Sequence, residues 1–126
     1  MKMRQQAALA LAITLLAPAA SAEGDPMGFA EFDQRATAGA RLTVAFFGAS
    51  LTWGANSSDP LKTSYRARMA EKLEARYPEA RFKFIDGAIG GTGSDLGVFR
   101  LQRDCLAYKP DLVFLDFTAN ADVRNP

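Results

Sequence analysis

The 126-residue chain carries 15 Lys and Arg against 14 Asp and Glu, with one cysteine and no histidine. That near balance gives no electrostatic case for nucleic-acid binding, and the length bounds the molecule to one domain or less. A lone Cys105 excludes an internal disulfide, and the side chain that most often serves as a general base near neutral pH is missing.

The first residues have the three-part form of a secretory leader: cationic Met1-Lys2-Met3-Arg4, an apolar stretch from Ala7 to Leu16, and small residues ending Ala20-Ser21-Ala22. The apolar run falls short of the ~20 residues that span a bilayer. Residues 1–22 therefore read as a cleaved signal peptide rather than an anchor, and no later stretch is long enough to span a membrane. Cleavage after Ala22 removes Lys2 and Arg4, leaving 13 basic and 14 acidic side chains. The expected location is periplasmic or extracellular.

Residues 23–41 form a lead-in, with a short helix expected after Gly28 and Phe29 and Phe32 as its apolar anchors. Residues 42–47 are mostly apolar and end at Gly48, the pattern of a strand covered on both faces in a parallel sheet. After a polar loop at residues 55–60, Tyr65, Met69, Leu73 and Tyr77 recur every four positions. This spacing predicts an amphipathic helix, with Thr63 or Ser64 as N-cap and Pro78 just beyond its end.

Phe82, Phe84 and Ile85 mark a second strand, closed by Asp86-Gly87 and followed by the glycine-rich Gly90-Gly91-Thr92-Gly93. A second helix is predicted over residues 94–108, with Val98, Leu101 and Cys105 near one face, Phe99 and Leu106 adjoining it, and Pro110 as its stop. Cys105 then reads as a buried, inert thiol, and Arg100 and Arg103 as residues of the wet face. Residues 112–115 are a third apolar run, expected as a buried strand. The alternation argues for a parallel α/β sheet with right-handed crossovers, in which ligands sit beyond the carboxyl ends of the strands.

Ser50, Gly91 and Asn120 each lie just past such an end, and their types suit acyl transfer. Ser50 would attack a carbonyl carbon, while its own N–H, the N–H of Gly91 and the side-chain amide of Asn120 would donate to the oxygen as it becomes negative. Each also has a plainer reading: a serine after a strand is commonly a cap, a glycine a tight turn, and an asparagine a backbone-bonded turn residue. Asp95, Asp116 and Asp122 read as cap, loop or solvated carboxylates. Trp53, beside the serine turn, suits either a pocket wall or the core.

Three blocks in chain order resemble the SGNH, or GDSL-type, hydrolase family of esterases and lipases. Gly48-Ala49-Ser50-Leu51-Thr52-Trp53-Gly54 looks like its first block, with Ala49 where the name-giving motif has aspartate. Ala88-Ile89-Gly90-Gly91-Thr92 looks like the second, and Phe117-Thr118-Ala119-Asn120-Ala121-Asp122 the third, with Ala121 where the family usually has aspartate. The resemblance implies a three-layer, flavodoxin-like α/β fold with Ser50 as nucleophile and Gly91 and Asn120 in the oxyanion hole.

The family's last block, an aspartate and a histidine, has no counterpart in the chain, so residues 42–126 are expected to be the N-terminal half of the domain, inactive as they stand. The implied substrate is a small-molecule or carbohydrate ester, such as an acetylated carbohydrate or a short-chain ester. No metal or organic cofactor is called for, and oligomeric state is not legible in the sequence.

Two rival readings have other signatures. One is a non-catalytic exported remnant that binds a glycan or partner. The other is a small nucleotide-binding α/β domain, which the glycine-rich run opposes: it lacks the lysine and spacing of a P-loop, and follows the second strand rather than the first. Nor does Ser50 fit the elbow of α/β-hydrolases, since Thr52 stands where that turn has glycine.

Overall fold

The computed structural model describes residues 28–120. The predicted leader, Ala121 and Asp122 lie outside the described residues. The element order is helix α1 (Phe29–Thr37), strand β1 (Arg41–Gly48), a short helix α2 (Ser50–Trp53), helix α3 (Tyr65–Arg76), strand β2 (Arg81–Ala88), helix α4 (Ser94–Asp104), a 3₁₀ turn (Leu106–Tyr108) and strand β3 (Leu112–Asp116). The sheet order is β2-β1-β3, and both pairings are parallel.

Strand β1 is central because its residues can be covered on both faces. Leu42, Val44 and Phe46 point to one side and pack with Phe32 and Ala36 of α1, with Met69 and Leu73 of α3, and with Tyr77. Ala45 and Phe47 point to the other and pack with Ile85, Leu101, Cys105 and Phe117. The chain adds β2 on one side of β1 and then β3 on the other. With right-handed crossovers, that reversal puts α3 and α4 on opposite faces, giving a layer of helix on each side of the sheet.

Local chemistry sets the boundaries. Ser64 is the N-cap of α3: its Oγ accepts from the Ala67 N–H at 3.2 Å and donates to the Pro60 carbonyl at 2.7 Å. Asp111 joins α1 to the sheet, accepting from Arg35 Nη1 at 2.9 Å and from the Thr43 N–H at 2.7 Å.

Five expectations need correction. Phe32 is buried as an anchor, but Phe29, on the same face at the first position of α1, is 83% exposed. The second strand does not close at Asp86-Gly87; it runs on to Ala88, and Gly87 lies opposite Phe47. Glycine there is a packing requirement rather than a turn signal, since a Cβ would sit 2.7 Å from the Asp104 carbonyl and 3.0 Å from the Phe47 ring.

The second helix ends at Asp104, and a 3₁₀ turn follows Cys105. Its inward face is Gly97, Arg100, Leu101 and Cys105, whereas Val98 and Phe99 are exposed, Phe99 to 87%. Finally, β3 is not buried on both faces: Leu112 and Phe114 pack on the α3 side, while Val113 and Leu115 on the α4 side are open, Leu115 to 68%.

Candidate active site

Strand β1 delivers the chain into Ala49, whose N–H donates to the Asp116 carbonyl at 3.1 Å. Ser50 then opens α2, half-buried, and as its first residue has an N–H with no acceptor inside that helix. The turn is held by bonds from the Trp53 N–H to the Ala49 carbonyl and from the Gly54 and Ala55 N–H groups to the Ser50 carbonyl. Gly54, at φ +106°, ends it in a conformation that glycine adopts without strain.

Thr52 anchors the same turn from below. Its side chain is fully buried and its Oγ1 lies 2.8 Å from the Tyr65 hydroxyl. Burial pushes the Tyr65 hydroxyl above its ordinary pKa, so it is a neutral hydrogen-bonding group here.

The glycine-rich loop runs beside the serine. The Cβ that Gly90 lacks would stand 3.9 Å from Ser50 Cβ. Gly91 follows at φ +75°, the left-handed region that favours glycine, with open space where a Cβ would be. The Ile89 N–H donates to the Gly48 carbonyl at 3.1 Å, and Thr92 Oγ1 donates to the Ile89 carbonyl at 2.8 Å, closing the loop on itself. At its far end a Cβ on Gly93 would lie 3.0 Å from the Asn120 carbonyl.

Asn120 is exposed and ends a turn after β3: its N–H donates to the Phe117 carbonyl at 2.9 Å, and the Asp116 carboxylate accepts from the Thr118 N–H at 2.9 Å. Ser50, Gly91 and Asn120 thus stand at the carboxyl ends of β1, β2 and β3 respectively, with the glycine loop between serine and asparagine. Trp53 is half exposed next to the serine turn rather than part of the core.

A cleft of about 310 Å³ adjoins the loop, lined by Ile89, Thr92, Leu96, Phe99, Arg100 and Arg103. A larger hollow of about 420 Å³ lies around Gly39, Arg41 and Glu79, at the amino ends of β1 and β2. Parallel α/β sheets bind ligands at the opposite end, and Ser50 lines neither of these two hollows. Among the described residues no group of three or more Cys, Asp or Glu side chains could hold a metal ion, and no helix is long and apolar enough to cross a membrane. Cys105 is fully buried, and burial raises its thiol pKa.

Sequence reasoning missed Arg100, read above as a residue of the wet face. It is 5% exposed and inserts beneath the serine and glycine loops, with its guanidinium 4.4 Å from the centre of the Phe47 ring. A signal for it was present in Gly97, three residues earlier. A glycine inside a helix is costly unless something approaches closely, and a Cβ there would meet the Phe117 ring at 2.7 Å. The face carrying Gly97 and Arg100 is therefore the packed one.

The chain resembles two solved crystal structures of a two-domain esterase active on acetylated mannans, one of them co-crystallised with mannopentaose. Each superposes with a TM-score of 0.70 at 39% sequence identity, covering 74% of this chain and 25% of the esterase chain. The chain thus spans about a quarter of the length of the esterase it matches. It matches no protein-family profile and no curated protein. The three-stranded parallel α/β architecture is an esterase-like fold.

Proposed function

We propose that this chain carries the nucleophile and oxyanion-binding part of a secreted SGNH-type carboxylic-ester hydrolase acting on an acetylated carbohydrate. The observation that carries the reading is the meeting of Ser50 with the Gly90-Gly91 loop at the carboxyl end of the sheet, in a chain 39% identical to an esterase active on acetylated mannans. In this mechanism Ser50 Oγ attacks the acetyl carbonyl carbon. The N–H groups of Ser50 and Gly91 and the amide of Asn120 stabilise the oxygen as its negative charge develops. The sugar hydroxyl leaves with a proton, and water then hydrolyses the acetyl-enzyme.

Both proton transfers need a base, and the 126 residues contain no histidine. The proposal assigns that role to a residue outside them. Loss of the histidine from a serine-hydrolase triad costs on the order of 10⁶ in turnover, so the 126-residue chain is expected to show no Ser50-dependent hydrolysis of p-nitrophenyl acetate.

The decisive experiment reads the gene and its transcript past the codon for Pro126 and expresses the continuous product. A frame that supplies an Asp-x-x-His motif, with deacetylation of acetylated mannan that Ser50→Ala abolishes, is the expected result. A genuine stop with a matching transcript sinks the catalytic reading and leaves the glycan- or partner-binding remnant.

A further inference from the structure

Arg100 is a buried cation whose bonds reach well beyond its own helix. Taking a guanidinium out of water is costly unless its donors are used. Asp104, one turn along α4, provides a carboxylate 3.3 Å from Nη1. The other contacts leave the helix. Nη1 donates to the Gly87 carbonyl at 2.5 Å, and Nη2 donates to the Gly48 carbonyl at 2.7 Å and to Thr92 Oγ1 at 3.2 Å. The plane is held over Phe47, with Phe117 5.6 Å away.

These acceptors form a distinct set. Gly48 is the last residue of β1, two before Ser50; Gly87 is next to last in β2; Thr92 follows Gly91 directly. The Gly48 carbonyl accepts from the Ile89 N–H as well as from Arg100, so the end of β1 and both flanks of the Gly90-Gly91 turn meet at one fork. Arginine suits the task because its donors are coplanar and fixed relative to one another, whereas a lysine ammonium is a single point on a flexible stem.

We propose that Arg100 is a positioning residue: its guanidinium latches the Ile89-to-Gly93 loop to the end of β1 and so sets where Gly91 stands relative to Ser50. This purpose rests on the esterase reading above; the latch itself does not.

The test compares amide hydrogen exchange in the ¹⁵N-labelled chain with that of Arg100→Lys and Arg100→Met. The latch predicts that the Ile89 amide, the loop N–H bonded to the Gly48 carbonyl, exchanges about tenfold faster or more in both variants, while amides of β1 and α3 change less than about twofold. Lysine fails to rescue. Unchanged loop exchange overturns the proposal, as does a loss of protection that spreads evenly over sheet and loop. Should neither arginine variant fold, the Arg100 guanidinium protons of the parent chain decide: slow exchange supports the latch and free exchange overturns it.

In the continuous product, Arg100→Lys lowers kcat on p-nitrophenyl acetate about tenfold with KM within about twofold. An active product whose kcat ignores the substitution overturns the positioning role and leaves the esterase reading standing. An inactive product with Ser50 intact overturns the esterase reading, and the exchange data still decide the latch.

Discussion

At the end of β1, a single missing side chain sets how closely the strand, the serine turn and β3 approach. A Cβ on Gly48 would fall 2.2 Å from both the Asp116 carbonyl and Thr52 Oγ1, so Gly48→Ala must push the serine turn and the end of β3 apart. Overpacking of this kind costs about 1–3 kcal/mol or more, and the variant is expected to unfold at markedly lower urea concentration than the parent. Asp104 carries the clearest pH signature next to the loop. Hydrogen bonds from the Arg103 guanidinium, and then from Arg100, hold its carboxyl below the ordinary carboxylate value, although burial opposes them. A folded-state pKa below the unfolded one contributes stability that is present above about pH 4 and lost as pH falls through the folded value. Asp104→Asn should therefore flatten the fall in melting temperature on acidification below about pH 4, which a pH series of thermal melts would measure; an equally steep fall in parent and variant would refute it.

The helices divide their work between holding the sheet and shaping its carboxyl end. Helix α3 has a full apolar stripe but only a half-buried one, since Met69 and Leu73 reach the core while no residue of the helix is fully buried. Its N-cap therefore matters more than usual. Ser64 is buried, and Ser64→Ala removes a cap and strands the Ala67 N–H. A loss of about 1–2 kcal/mol is expected, read as a lower urea midpoint at unchanged slope. Helix α4 shows why a hydrophobic count can misplace a face. Val98 and Phe99 look like core residues in the sequence, but Gly97 and Arg100 allow the helix to come close to Phe117 and Phe47, and that approach turns the larger apolar residues outward.

Across the whole molecule, the two sides of the sheet are unequally covered. The α3 side is closed by aromatic stacking of Phe46 on Phe114 at 5.0 Å and of Phe82 on Phe84 at 5.7 Å. On the α4 side, Val113 and Leu115 of the edge strand lie open, as does Phe99 of α4. A parallel edge with exposed β-branched and leucine side chains is a template for self-association. Leu115→Lys, which adds a charge without touching the buried core, is expected to reduce light scattering of concentrated protein at unchanged melting temperature; unchanged scattering would show that this edge does not drive association.

Alternation of apolar runs with four-residue helical spacing was enough to read the parallel α/β order and the strand that precedes Ser50, because burial on both faces leaves its mark residue by residue. The glycine-rich run and Asn120 were likewise legible as strand-end features. What the sequence could not determine was which side chains would share one point in space. The inward face of α4, the burial of Arg100 and the open α4 side of β3 depend on how closely elements distant in the chain approach, as where the Arg100 fork spans 52 residues to the Gly48 carbonyl. Such contacts follow from steric fit and from the need to satisfy a buried guanidinium, and only the tertiary structure decides those.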